Sequence, residues 1–465
     1  MTRLLPLKLA LIALLLTFAC SSEADNDDAT PASRPASVVT PATPQLGSTA
    51  TSSTPAAPTP TPRPRPEAEV FPDDLREQAV ELLLRIGDVR GTQVRREVDM
   101  FILTRDQARA YYSNDGRPSS GSSQRFDLKQ ETYVLLGMIP APEQDPDDRG
   151  LEEQQLDNLI DLITGFYSHD FAAFYIVDSI NGGIYGGLAI STIVHELTHA
   201  LQFQYRDIDG LLRDRAGDWD ATTALLDVLE GDAVHTEILV LGYSTRSTYR
   251  QPVCFQVPPA QRANTPYVVE RELDTWYEDG LCFIAAVRDD LIRGITGIFE
   301  DPPTTTEQIL HPEKYLAGEG ARPVVLDSLA EDLGPGWDEK SGANFGEFGL
   351  QNVLLTGLAH DRAAVQAAAA GWGGDAFSFY EHEAGAQLLH LETHWDSRAD
   401  AREFYAALIA SMMGLSGEGF PEPGSVRYRA AIGDVTWSAA LASDRVTLLV
   451  STDLAALESA AAIIE

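Results

Sequence analysis

The stretch that decides the fold is Ile193–Gln204, IVHELTHALQFQ. Apolar residues recur here every three or four positions, which predicts an amphipathic helix: Ile190, Ile193, Val194, Leu197, Ala200 and Leu201. His195 and His199 are four residues apart, so their imidazoles leave the same side of this helix about one turn apart. Two neutral imidazoles so placed can bind one Zn²⁺.

Glu196 lies directly after the first histidine and about 100° round the helix from it. This position is beside a bound metal, where a carboxylate can take a proton from a water that the metal activates. The H-E-x-x-H pattern therefore predicts a metal-dependent hydrolase, most simply a peptidase. The alternative is that two histidines and a glutamate share a helix by chance, but apolar residues on the side away from the ligands favour the metal site.

Catalytic zinc usually has three protein ligands, so a further one is needed. The H-E-x-x-H-x-x-G-x-x-H extension is absent, because Gln202 and Tyr205 occupy the positions of its glycine and last histidine. The apolar helical segment Ala221–Val240 carries acids that need a partner if they are buried. We expect Glu230 to be the third ligand, with Asp227, Asp232 and His235 as the alternatives. Asp227 and Glu237 share the face of Glu230 and are candidates to orient a ligand imidazole.

These two segments carry a family resemblance. HELTHALQFQ, followed some thirty residues later by LLDVLEGDA, resembles the gluzincin type of zinc metallopeptidase, and in particular secreted bacterial proteins with "HELxHALQ" and "EGDA" motifs. TEQILHPEKYL at Thr306–Leu316 is similar to another element of that group. The resemblance covers residues 166–316 and implies His195, His199 and Glu230 as zinc ligands and Glu196 as general base.

The expected fold class is α+β, with a largely helical, zincin-like core at residues 71–340 and a C-terminal α+β portion at 341–465. In gluzincin-type folds an edge strand upstream of the zinc helix binds substrate backbone. Phe174–Tyr185 is placed to do so, although an ordinary hairpin in the core fits equally well. We also expect a strand at Thr132–Ile139 and a helix at Leu151–Tyr167.

The chain begins with MTRLLPLKLALIALLLTFAC, whose basic start and short apolar run predict a secretory signal peptide at residues 1–20. Ala19-Cys20 resembles the processing site of a bacterial lipoprotein, so we expect Cys20 to be lipidated. Plain signal-peptide cleavage without lipidation is the alternative. Residues 21–70 are rich in Ser, Thr, Pro and Ala and predict a disordered tether. The protein is therefore expected to be exported, as a cell-surface lipoprotein or a secreted protein, with membrane attachment only through Cys20.

Two cysteines remain, Cys254 and Cys282, and in an exported protein we expect them to form a disulfide. His311 is more simply a structural hydrogen-bonding residue than a proton donor to the site. His382, His390 and His394 are interpreted as surface histidines of a sheet.

The formal net charge of −36 excludes nucleic-acid binding by phosphate neutralisation and indicates a solvated acidic surface or attraction of basic substrates. The expected partner is a peptide or protein substrate, and the oligomeric state is not readable from the sequence. Two further hypotheses stay open: a zinc-binding cell-surface interaction or processing module with little turnover, and a hydrolase of non-peptide amides.

Overall fold

The computed structural model describes Leu156, Ile160 and residues 65–113, 121–141, 163–177, 187–242, 266–288, 295–358, 361–417 and 424–464. The expected signal peptide, most of the expected tether and Cys254 lie outside these residues. Within them the fold is α+β, with two sheets. No helix of the described part is long and apolar enough to cross a membrane.

The first sheet has four strands in the order β1-β2-β4-β3. Its strands are β1 (Glu69–Val70), β2 (Asp99–Leu103), β3 (Gly165–Ser168) and β4 (Ala173–Val177). β2 and β4 run parallel, whereas β3 is antiparallel to β4 and is the outer strand at the β4 end of the sheet. The helices that accompany this sheet are α1 (Asp73–Arg90), α2 (Arg105–Ser113) and α3 (Gly121–Leu135).

The two helices that carry the predicted ligands are α4 (Gly187–Tyr205) and α6 (Trp219–Leu241), joined through the short α5 (Ile208–Arg213). Asp218 caps α6 by accepting from the Ala221 N–H, and Gly242 ends it in the left-handed conformation. α4 packs on the first sheet, where Ile193 and Leu197 share a core with Phe174. α6 is buried over most of its length between α4 and α7 (Tyr267–Val287).

A 3₁₀ helix (Ile295–Glu300) and three short helices, α8 (Thr306–Leu310), α9 (Pro312–Ala317) and α10 (Ala330–Leu333), lead to the second sheet. This antiparallel sheet has six strands in the order β5-β6-β7-β10-β9-β8. Its strands are β5 (Trp337–Ala343), β6 (Trp372–His382), β7 (Gln387–Trp395), β8 (Arg427–Ile432), β9 (Val435–Ala442) and β10 (Arg445–Ser451).

One face of the second sheet packs against helices α11 (Gly346–Leu355), α12 (Arg362–Ala369) and α13 (Arg398–Ser416). The other face is partly covered by α10 and the last helix, α14 (Leu454–Ile464). The core of the first face also includes Leu128, Tyr133 and Val268, which belong to the preceding part of the chain. The two parts are therefore joined by a shared apolar core.

Several sequence predictions are wrong. Thr132–Leu135 belongs to α3 and not to a strand, and Gly165–Ser168, expected at the end of a helix, forms β3. β4 lies inside its sheet between β2 and β3, so the expected substrate-binding edge at Phe174–Tyr185 is not an edge over its described residues. His390 is only 4% exposed and is not a surface residue.

A further prediction agrees with the structure. Cys282 is disulfide-bonded as predicted, and its expected partner Cys254 lies outside the described residues. In contrast, β5 runs across residue 340, where the sequence analysis placed a boundary.

Candidate metal centre

The two imidazoles on α4 converge on the carboxylate of Glu230 on α6. Nε2 of His195 lies 3.2 Å and Nε2 of His199 lies 3.8 Å from Oε2 of Glu230. One donor atom from each of the three residues falls within 4.8 Å of the others, and all three side chains are buried. Imidazole nitrogens and a carboxylate oxygen are ligand atoms that zinc uses in proteins, so these three residues could hold a metal ion.

The buried polar atoms at this centre are incompletely paired. Nε2 of His199, Oε1 of Glu230 and Oε1 of Glu196 have no hydrogen-bond partner within the described residues. Unpaired polar atoms at zero or near-zero exposure are costly, so they mark a place where a further group belongs. A divalent cation fits, because one ligand atom from each of two imidazoles and a carboxylate would face it.

The pKa values reflect the same arrangement. Burial acts to lower the pKa of His195, but the hydrogen bond to Glu230 and the nearby carboxylate of Glu237 outweigh it and raise the pKa to about 10. Burial, together with the neighbouring His195, holds the pKa of His199 well below its usual range. Burial also raises the pKa of Glu230, which His195 opposes. In the absence of a metal, the His195 imidazolium is therefore the cation that balances Glu230.

Glu196 is placed beside the ligands by the outer strand of the first sheet. It is fully buried, and its Oε2 accepts a 2.9 Å hydrogen bond from the backbone N–H of Tyr167 on β3. Burial raises its pKa well above the usual range, and this backbone hydrogen bond opposes the shift. One carboxylate oxygen is thus fixed by the main chain, and the other has no hydrogen-bond partner among the described residues.

The alternatives to Glu230 have other surroundings. Asp232 binds Arg90 and Gln202, and His235 faces Arg288 across 3.0 Å. Asp227 is fully buried, and neither of its carboxylate oxygens has a hydrogen-bond partner in the described part of the chain, so it orients no imidazole. Glu237 does lie near His195, 3.8 Å from Nδ1.

His311, the candidate proton donor, pairs instead with Glu347 on α11 at 3.2 Å. That hydrogen bond raises the pKa of His311, with burial opposing it. The contact ties the α8–α9 junction to α11 and supports the structural interpretation of this histidine.

Three groups at the site were not predicted. Gln202 accepts from Nδ1 of His199, and the Tyr167 N–H holds Glu196. Tyr277 on α7 acts to lower the pKa of Glu230, and its ring lies 6.0 Å from that of His195. Gln202 follows His199 by three residues on the same helix, so the spacing could have indicated it. Tyr167 and Tyr277 come from distant elements and leave no local signal.

Comparison with known proteins bears on the other part of the chain. Residues 334–461, which include the second sheet, match a family model described as a domain of unknown function, DUF8575. The match does not reach His195, His199, Glu230 or Glu196. No curated protein and no solved structure matches the chain significantly.

Proposed function

We propose that this chain is an exported, zinc-dependent peptidase with a zincin-like core, in which His195, His199 and Glu230 hold the metal. The observation that carries the proposal is the convergence of three buried donor atoms within 4.8 Å of one another, together with the buried carboxylate of Glu196, whose Oε1 has no hydrogen-bond partner among the described residues. When bound there, zinc would polarise the substrate carbonyl and lower the pKa of the attacking water to about 7.

Glu196 is the general base on this proposal. Its free oxygen, Oε1, takes the proton of the attacking water, while the Tyr167 N–H keeps the other oxygen in place. The same carboxylic acid can then donate the proton to the leaving amine. Because Glu196 is fully buried, water does not compete for this hydrogen bond.

The outer strand β3 is the element best placed to align a peptide substrate. It pairs with β4 on one side and, among the described strands, with none on the other. An extended peptide that added to this edge would pass next to Glu196, since Tyr167 already contacts that carboxylate. We therefore propose β3, and not the expected Phe174–Tyr185, as the strand that binds the substrate backbone.

We further propose that residues 1–20 direct export and that Cys20, if lipidated, attaches the chain to a membrane surface through the Ser/Thr/Pro/Ala-rich tether.

The test combines metal analysis with two substitutions. Purified protein should contain about one zinc per chain and should cleave members of an unbiased peptide library. Glu196→Gln should keep the zinc and lose roughly 10²–10⁴-fold in turnover, the usual contribution of a general base. His199→Ala should lose both metal and activity. Glu313→Gln is a matched control, because that carboxyl is 77% exposed.

A wild-type protein that holds no zinc would overturn the proposal. Zinc without hydrolysis of any peptide would instead favour an interaction or processing module.

A further inference from the structure

We infer that Gln202 is a positioning residue that fixes the tautomer of His199 and so presents Nε2 of that imidazole to the metal. The inference deepens the proposed function, since the metal is the one proposed above. It concerns a residue that contacts a ligand and not the reacting atoms.

The orientation of the Gln202 amide is determined by its neighbours. Its Nε2 lies 2.7 Å from Oδ2 of Asp232 and 3.0 Å from the carbonyl oxygen of Leu229. Both of these atoms are acceptors, so the NH₂ group must face them. The amide oxygen therefore faces Nδ1 of His199, at 2.7 Å.

An amide oxygen only accepts hydrogen bonds, so Nδ1 of His199 must carry the hydrogen. Nε2 is then the nitrogen with a free lone pair, and it is the atom that lies 3.8 Å from Oε2 of Glu230. Gln202 is 2% exposed, so water does not compete for this amide. The ligand is thereby held in its metal-binding form before a metal arrives.

Arg90 fixes the far end of this chain of hydrogen bonds. It is the last residue of α1, and its Nη1 donates to Oδ1 of Asp232 at 2.6 Å and to Thr236 at 2.8 Å. Arginine has only donors, so Asp232 accepts from Arg90 with one oxygen and from Gln202 with the other. The relay Arg90–Asp232–Gln202–His199 thus joins α1, α6 and α4 in a fixed polarity.

The second histidine is oriented differently. Nδ1 of His195 faces the carboxylate of Glu237, which accepts a 2.5 Å hydrogen bond from Ser191. An amide therefore contacts Nδ1 of one ligand, whereas a carboxylate faces Nδ1 of the other. The amide sets the tautomer of His199 without placing a carboxyl group next to it, because Asp232 is one residue removed.

Two measurements test the inference without reference to hydrolysis. In metal-free protein labelled with ¹⁵N-histidine, NMR should find His199 neutral with its hydrogen on Nδ1. The His199 signal is the one that disappears in His199→Gln. Gln202→Ala should lose this preference. Competition with a chromophoric chelator should show zinc binding weakened roughly 10–100-fold in Gln202→Ala, the usual effect of removing an orienting group.

A polarity swap separates orientation from packing. Gln202→Glu cannot donate to Asp232 and should weaken zinc binding at least as much as alanine. Adding Asp232→Asn lets residue 232 donate to that glutamate and accept from Arg90, and it should recover part of the affinity. Thr198→Ala is the control, because the hydroxyl of this buried residue donates to the Val194 carbonyl of its own helix, α4.

The inference is overturned if Gln202→Ala binds zinc as tightly as wild type, or if metal-free His199 carries its hydrogen on Nε2. A failure of the proposed function gives a different result. Protein that binds zinc but hydrolyses nothing still reports both the tautomer and the affinity, and protein that binds no zinc still reports the tautomer.

Discussion

Gly231, directly after the proposed ligand Glu230, lies where α6 and α7 cross most closely. A Cβ at this position would lie 2.6 Å from the Leu281 backbone nitrogen, and nearer still to the Gly280 carbonyl group. A Cβ on Gly280 would in turn lie 2.8 Å from the carbonyl carbon of Asp227. Ordinary contact begins near 3.4 Å, so Gly231→Ala must separate the helices by at least 0.8 Å, the difference between 3.4 and 2.6 Å.

The expected cost follows from two opposing effects. Overpacking costs roughly 1–3 kcal/mol, and the upper end applies because backbone lies on both sides of the contact. Alanine in a helix interior recovers about 1 kcal/mol relative to glycine. Gly231→Ala should therefore lower the free energy of unfolding by about 2 kcal/mol.

Zinc affinity should respond less to this substitution, by under roughly tenfold, which is about 1.4 kcal/mol. The ligand atoms of Glu230 face α4, whereas the clash is with α7, so separation at the α6–α7 crossing leaves the three donors together. Gly231→Ala is thus the converse of Gln202→Ala, which should weaken metal binding with less effect on stability.

Urea unfolding followed by circular dichroism measures the loss of stability. Gly217→Ala is the matched control: its Cβ would meet nothing within 4 Å, and its stability should stay within about 0.5 kcal/mol of wild type. If Gly231→Ala is as stable as this control, the helices do not cross as closely as described here.

Two further predictions concern charge. EDTA should lower the free energy of unfolding of the wild-type protein by about 4 kcal/mol, relative to the same protein with free zinc at a thousandfold excess over its Kd. It should leave the stability of His199→Ala unchanged. Equal stability of the wild type with and without EDTA would contradict a metal bound to the folded state. Lys314 contacts Glu307, Glu319 and Asp396, each at 2.6–2.7 Å. Burial raises the pKa of Glu307 from 4.5 to about 7 against the opposing effect of Lys314. The stabilisation of the fold that goes with protonated Glu307 is therefore complete below pH 4.5 and is lost as pH rises through 7. Lys314→Met should therefore destabilise the protein more at pH 8 than at pH 5, by about 2 kcal/mol at the higher pH. The control Lys340→Met removes an exposed ion pair with Glu381 and should cost under about 1 kcal/mol at both pH values. A loss that is independent of pH would exclude Glu307 as its source.

The sequence predicted the parts of the site that depend on helical spacing. His195, Glu196 and His199 follow from one helix, and Glu230 follows from the rule that acids on a buried helix need a partner. It could not predict Tyr167 or Tyr277, because their contacts arise from the packing of β3 and α7 against the ligand helices. The relay through Gln202 depends on Arg90, more than one hundred residues upstream.

Errors in the fold have a similar origin. Thr132–Ile139 is rich in β-branched, aromatic and apolar residues, which favours a strand locally. In the structure its first four residues continue a helix whose Leu128, Tyr133 and Leu135 are buried in the core of the second sheet. Tertiary burial thus outweighs local propensity.

The acid content of the core gives a physical reason for a cation at this site. Four carboxyl groups near the site are each at most 2% exposed: Glu196, Glu230, Asp232 and Glu237. Among the described arginines and lysines, Arg90 forms an ion pair with Asp232. Burying an ionised carboxylate without a partner costs several kcal/mol, so burial favours the protonated form of a carboxyl such as Glu196 or Glu230. The raised pKa values of Glu196, Glu230 and His195 are that response. A divalent ion among the three donors would displace the proton of His195 and balance Glu230 directly. On our proposal the metal therefore stabilises the helix pair that holds it, and its removal should weaken the fold as well as the activity.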